Sequence, residues 1–184
     1  MKAAWGVFLD RDGTLVPDSG YMVRPEQLRF YARTADALRK LKNADAVLLV
    51  VSNQSAVGRG LMDDRGLERM DRRLRDLART AGAPLDQTYY CPHHPEVTGP
   101  CDCRKPAPGM IAMGLREFDL DPGRSFLVGD TAADLQAGRQ MGLTTILVLT
   151  GRGREARVRT EREGLADAVV RDIDGAAEWI LKNR

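Results

Sequence analysis

Two aspartates stand two positions apart in Asp10-Arg11-Asp12-Gly13-Thr14, directly after an apolar run at 7–9. If extended backbone persists past that run, both carboxylates point to one side and concentrate negative charge. Such charge needs a hard cation. Mg²⁺ suits it, binding through one or two carboxylates while keeping places for water and phosphate. A second cluster, Ser52-Asn53-Gln54-Ser55, follows the apolar run 47–51 and offers a hydroxyl, amides and backbone N–H groups to phosphoryl oxygens. A third, Gly129-Asp130-Thr131, follows 126–128, with Asp134 one helical turn further on. This spacing places Asp130 on the metal and Asp134 behind it, orienting another group. Any one of these clusters alone is also what a turn or a helix cap looks like.

Lys105 adds a compact ammonium in a chain that otherwise uses guanidinium for its positive charge, since most of its 28 basic residues are arginines. It stands in Cys103-Arg104-Lys105-Pro106, at the end of a window that holds all 3 cysteines and both histidines. Cys91, His93, Cys101 and Cys103 form a Cys₃His set for tetrahedral Zn²⁺, with His94 as the alternative to His93. Four protein ligands leave no open position, so the zinc is structural and the loop it closes presents Arg104 and Lys105. A disulfide would leave one thiol over and suits an oxidising compartment. Arg59 and Arg104 are candidates for the far end of a substrate, because guanidinium forks fit a second phosphate or sugar hydroxyls.

The elements that must position these residues alternate. Strands are expected at 6–9, 47–51, 88–90, 126–128, 145–149 and 168–170, and helices at 34–42, 63–81, 109–118, 132–141 and 174–182. The helix at 63–81 carries Leu67, Met70, Leu74, Leu77, Ala78 and Ala81 on one stripe, with Asp63 as N-cap and Gly82 as stop. Its arginines are interleaved with acids and read as a solvated face. Strands alternating with helices predict an α/β fold: a three-layer, Rossmann-like parallel sheet with helices on both faces. All three polar clusters follow strands, and ligands bind at the carboxyl ends of such strands.

At 184 residues and 43% hydrophobic, the chain can bury a real core and is expected to be one domain, 1–184. A formal net charge of +2 argues against a dedicated nucleic-acid binder, including one built on the zinc loop. No apolar run is long enough for a membrane span or a signal peptide, so a cytoplasmic monomer acting on a small molecule is expected.

Asp10, Asp12, Ser52, Lys105 and Asp130, in that order, resemble the four motifs of the haloacid dehalogenase superfamily of aspartate-nucleophile phosphatases. The resemblance implies that Asp10 attacks phosphorus and Asp12 serves as general acid and base. It also implies Mg²⁺ on Asp10, Asp130 and the Asp12 carbonyl, with Ser52, Asn53 and Lys105 around the phosphoryl group. Members usually carry a cap domain, but the segments between the motifs leave no room for one here. A phosphoaspartate-holding receiver module uses similar residues, but there the lysine comes last in the chain, whereas Lys105 precedes Asp130. The cysteine-histidine loop and the Cys-Arg-Lys-Pro run are similar to the branch holding heptose-bisphosphate and histidinol-phosphate phosphatases. Ser52-Asn53-Gln54-Ser55 followed by Gly58-Arg59-Gly60 looks more like the heptose type, which implies a phosphorylated sugar substrate cleaved at its 7-phosphate.

Overall fold

A computed structural model describes residues 4–184. Six parallel strands, β1 (Gly6–Leu9), β2 (Val47–Asn53), β3 (Gln87–Cys91), β4 (Phe126–Gly129), β5 (Thr144–Val148) and β6 (Ala168–Val170), form one sheet. Their order is β3-β2-β1-β4-β5-β6. The chain therefore runs outward in one direction through β3 and in the other from β4. Between the carboxyl ends of β1 and β4 lies the crevice where the order reverses.

Seven helices connect and cover the strands: α1 (Thr34–Lys42), α2 (Asp64–Thr80), α3 (Pro95–Thr98), α4 (Gly109–Glu117), α5 (Ala132–Gln140), α6 (Gly153–Arg162) and α7 (Ile173–Asn183). Alternation along each strand divides the core into two layers. Val7 and Leu9 of β1, with Leu48, Val50, Val128 and Val148, pack against Leu38, Leu74 and Ile180 of α1, α2 and α7. Phe8, with Leu49, Val51, Leu127 and Leu147, packs against Ile111, Leu115 and Leu135 of α4 and α5. Both faces of the inner strands are covered, so their sequences read as continuous apolar runs rather than as alternating ones.

Most expected elements lie within a residue or two of those observed, and the differences have physical causes. β2 runs on through Ser52 and Asn53, which pair with Tyr90 and Cys91 of β3. Ser52 is thus the end of a strand and not a helix cap. Helix α6 was not expected, because its sequence is highly charged and only Gly153 and Thr160 are buried. It has no apolar stripe to read. Among the described residues there is no second sheet that could serve as a cap, and no helix is long and apolar enough to cross a membrane.

Asp63 caps α2 as its sequence predicts: its carboxylate accepts the Gly66 N–H at 2.7 Å, and Gly82 ends the helix at φ 74°. Asp63→Ala should cost about 1 kcal/mol and lower Tm by about 2–4 °C, with kcat/KM unchanged. Paired thermal melts and assays check this.

Candidate active site

The three acid-bearing loops converge at the β1/β4 crevice. Asp10 extends β1 by one residue, its N–H donating to Val128 O of β4 at 2.9 Å, so its carboxylate is aimed by the sheet itself. One carboxylate oxygen from each of Asp10, Asp130 and Asp134 lies within 4.8 Å of the others. All three residues are buried. Close approach of backbone makes the cluster possible: a Cβ on Gly13 would sit 2.0 Å from Asp130 Oδ2, and one on Gly151 2.2 Å from the same atom. Both glycines also adopt positive φ, at 87° and 52°. Asp130 Oδ2 in turn accepts the Arg152 N–H at 2.8 Å. The turn after β5 is therefore part of the site, a contribution that its Thr-Gly-Arg-Gly composition hinted at and the sequence reading missed.

Lys105 enters this cluster from the opposite loop. Its ammonium, almost wholly buried, donates to Asp10 Oδ1 at 2.6 Å and to Val51 O at 2.7 Å, and pairs with Asp134 Oδ1 at 2.5 Å. Burial alone would lower its pKa, but the facing Asp10 and Asp134 outweigh that and hold the ammonium charged. Asp134 is also held from behind, Oδ2 accepting from Thr131 N at 3.0 Å and Thr131 Oγ1 at 2.5 Å. It pairs with Lys105, and it also stands among the potential metal ligands, closer to the centre than its spacing suggested.

Three buried carboxylates against one ammonium leave the cluster short of positive charge. Burial, reinforced by Asp134 and Asp130 and opposed by Lys105, pushes Asp10 well above the usual carboxylate range. Burial and the Asp134 charge push Asp130 up to about 7. An all-oxygen donor set with this deficit fits a hard divalent cation such as Mg²⁺.

Asp12 is placed differently. Its carboxylate lies outside the acid cluster, receiving Arg11 Nε at 3.0 Å, Arg11 Nη2 at 2.8 Å and Gln54 Nε2 at 2.8 Å. Gln54 also donates to Ser52 Oγ at 2.9 Å, which fixes the buried hydroxyl at the end of β2. Asn53, expected to face a phosphoryl group, has both ends of its amide committed to the main chain of Lys105, at 3.0 and 3.1 Å. It clamps the lysine-bearing loop to the strand that accepts the ammonium.

Cys91, His93, Cys101 and Cys103 gather as the spacing predicts, and His94 does not join them. The three sulfurs lie 3.0–3.6 Å apart, and His93 Nδ1 lies 3.7 Å from Cys91 Sγ and 3.3 Å from Cys103 Sγ. Tetrahedral Zn²⁺ with ordinary bond lengths sets edges of about 3.6–3.8 Å, so the four atoms could hold zinc with small outward shifts. The cysteines are free thiols, not a disulfide. The loop is further tied to the segment after β2: Gly58 N–H donates to Pro92 O at 2.9 Å, where a Cβ would come within 2.7 Å of that oxygen.

A cleft of about 450 Å³ opens above the acids, lined by Asp10, Asp12, Ser52, Lys105, Arg104 and Arg152 among others. Arg104 is braced by donating to His93 O at 3.1 Å. Arg59 does not line the cleft. Its guanidinium contacts His94 Nε2 at 2.6 Å and lies 5.8 Å above the Tyr21 ring, which ties three rim loops together. Arg152, whose main-chain N–H binds Asp130, is the second arginine that lines the cleft.

Residues 102–176 match the HAD-hydrolase-like family model. A D-glycero-beta-D-manno-heptose-1,7-bisphosphate 7-phosphatase of Pasteurella multocida is 44% identical over 161 residues, covering 83% of this chain and 84% of that one. The Escherichia coli K12 protein of the same name is 34% identical across 100% of this chain and 97% of its own. The crystal structure of the D,D-heptose 1,7-bisphosphate phosphatase of B. bronchiseptica, complexed with magnesium and phosphate, superposes with a TM-score of 0.88 at 33% identity, covering 98% of this chain and 99% of that one.

The charge deficit generates a test. An acid whose folded pKa is raised contributes stability below its unfolded pKa that is lost as pH rises through the folded value, here about 7 for Asp130. Metal-free protein should therefore become less stable between about pH 5 and pH 8, and Asp130→Asn should flatten this slope. Saturating Mg²⁺ should raise Tm by about 5–10 °C at pH 8 and by less at pH 5.5, as checked by thermal melts.

Proposed function

The chain belongs to the HAD-like hydrolases, within the family of heptose-1,7-bisphosphate 7-phosphatases, and from this we propose that it hydrolyses the 7-phosphate of D-glycero-β-D-manno-heptose 1,7-bisphosphate. The observation that carries the reading is the Lys105 ammonium shared by Asp10 and Asp134 at the β1/β4 crevice, in a chain similar to these phosphatases over nearly its whole length.

In this reading the Asp10 carboxylate attacks phosphorus and becomes an aspartyl phosphate while Asp12 gives a proton to the departing sugar oxygen. Asp12 then takes a proton from the water that cleaves the acyl phosphate. Ser52 and Lys105 orient and neutralise the phosphoryl oxygens, Lys105 keeping its place through Asp134, Val51 O and the Asn53 clamp. Mg²⁺, held by Asp10, Asp130 and the Asp12 carbonyl with Asp134 beside them, would supply further positive charge against those oxygens. The magnesium and phosphate in the B. bronchiseptica structure support this assignment.

Arg104 and Arg152 face the remainder of the cleft and suit the second phosphate of a bisphosphate. A substrate ending in an amine, such as histidinol phosphate, would give up the charge-assisted contacts that a second phosphate makes to arginine. We further assign Zn²⁺ to Cys91, His93, Cys101 and Cys103, as the fastener of the loop that presents Arg104 and Lys105. The free thiols and near-neutral charge suit a cytoplasmic enzyme with a small-molecule substrate and no nucleic-acid or membrane partner.

Heptose 1,7-bisphosphate should be cleaved with a kcat/KM at least about 10²-fold above that for histidinol phosphate, the scale of two lost charge-assisted contacts. Arg104→Ala should raise KM more than it lowers kcat, as for an interaction equal in ground and transition states. Comparable efficiency on both substrates would overturn the heptose assignment and leave the phosphatase chemistry standing. Elemental analysis of protein purified without added zinc should find about one zinc per chain. Cys103→Ser should release it and lower kcat through Lys105.

A further inference from the structure

Arg11 takes no part in the chemistry above, yet it is the largest fully buried side chain, 1% exposed. Burying a guanidinium is costly unless excellent geometry compensates, and apolar packing would stabilise the same place as well or better. Its partners show where the charge is directed. Arg11 Nε donates to Asp12 Oδ1 and Nη2 to Asp12 Oδ2, a bidentate fork, and Nη2 also donates to Gln54 Oε1 at 2.9 Å. Gln54, itself buried, returns a hydrogen bond from Nε2 to Asp12 Oδ2. Tyr90, whose hydroxyl donates to Asp71, and Asp10 both lie near enough to the guanidinium to interact with its charge. Both groups that the fork grips, Asp12 and Gln54, line the cleft.

A carboxylate offers about four lone-pair sites, two on each oxygen. Asp12 Oδ2 has both occupied, by Arg11 and Gln54, and Oδ1 has one occupied, by Arg11. A single site on Oδ1 remains. We infer that Arg11 and Gln54 are positioning residues that select Asp12 Oδ1 as the oxygen that exchanges protons with substrate and water. The inference rests on the aspartyl-phosphate reading above. As the bond from phosphorus to the sugar oxygen breaks and Asp10 gains the phosphoryl group, the Oδ1 proton passes to that oxygen and the alcohol leaves. When water attacks the aspartyl phosphate, its proton returns to Oδ1, the acyl phosphate bond breaks, and inorganic phosphate departs from a restored Asp10 carboxylate. Throughout, the fork holds the carboxylate plane so that Oδ1 faces the reacting centre.

The proton matters only for a leaving group that needs one. A sugar alkoxide does, whereas a nitrophenolate leaves unaided, so the two substrates separate positioning from general damage. The measurement is the first-turnover release of alcohol from heptose 1,7-bisphosphate and of nitrophenol from 4-nitrophenyl phosphate, with Mg²⁺ present. Asp12→Asn sets the scale, with an expected loss of about 10²–10⁴-fold on the sugar and little on the aryl substrate. Arg11→Met is expected to lose about 10²-fold on the sugar, less than about 5-fold on the aryl substrate, and to leave KM within about 3-fold. Arg11→Lys, which keeps charge and loses the fork, is expected to stay impaired in the same pattern. Should Arg11→Met fail to fold, Gln54→Met removes one arm of the clamp without burying an unpaired charge; any loss through its bond to Ser52 falls on both substrates alike, and the sugar is expected to lose about tenfold more than the aryl substrate. Equal losses on both substrates in these variants, or full activity, would overturn the positioning role while Asp12→Asn retains its bias. Absence of bias in Asp12→Asn would overturn the acid–base reading and this inference with it.

Discussion

One buried ammonium among three buried carboxylates sets the terms for the rest of this molecule. Lys105 can stay charged in the interior only because Asp10 and Asp134 face it at 2.6 and 2.5 Å and Val51 O takes a third hydrogen. The acids, in turn, tolerate one another because the ammonium shares their charge and burial shifts Asp10 and Asp130 toward their neutral forms. Neither group would be stable there without the other. Much of the local structure holds these partners in register: the Asn53 amide on the Lys105 main chain, Thr131 on Asp134, and the Arg152 N–H on Asp130.

The fold supplies that register from distant parts of the chain. Strand order reverses between β1 and β4, so the residues after each strand face one crevice, and each strand is fixed by a core layer on both faces. Lys105 comes from neither strand. It is carried by a loop whose cysteine and histidine side chains gather within a few ångströms and whose backbone is tied to the segment after β2. A long loop ordered in this way can place an ammonium with the precision that a strand gives a carboxylate. The absence of a second sheet among the described residues leaves the mouth to side chains on loops, so Arg104, Arg152 and the Arg59–His94–Tyr21 contact take the place that a cap would occupy.

The sheet, the acid cluster and the cysteine loop were legible in the sequence because each has a local signature: apolar runs ended by polar clusters, or ligands at metal spacing. What escaped was set by contacts between distant residues. Asn53 looked like a substrate ligand because its amide suits phosphate, and only the proximity of β2 to residue 105 shows that both ends are used. Arg59 sits beside a glycine-rich turn that suggests a binding loop, but His94 and Tyr21 hold it at the rim. Arg11 lay between two aspartates and drew no attention, since a lone arginine in a loop is usually solvated. Helix α6 lacks an apolar stripe because it packs through glycine, threonine and alanine, small residues that carry no periodic signal.

If the charge cluster makes Asp10 a nucleophile, residue 10 must carry the phosphoryl group during turnover, and chemical trapping detects it there. Enzyme mixed with heptose bisphosphate and Mg²⁺, quenched in acid within one turnover and reduced with borohydride, should yield a peptide in which residue 10 has become homoserine, the reduction product of an aspartyl phosphate. Enzyme quenched without substrate should not. Release of phosphate at the full rate with no modification at residue 10, or reductive labelling at another carboxylate, would contradict the account.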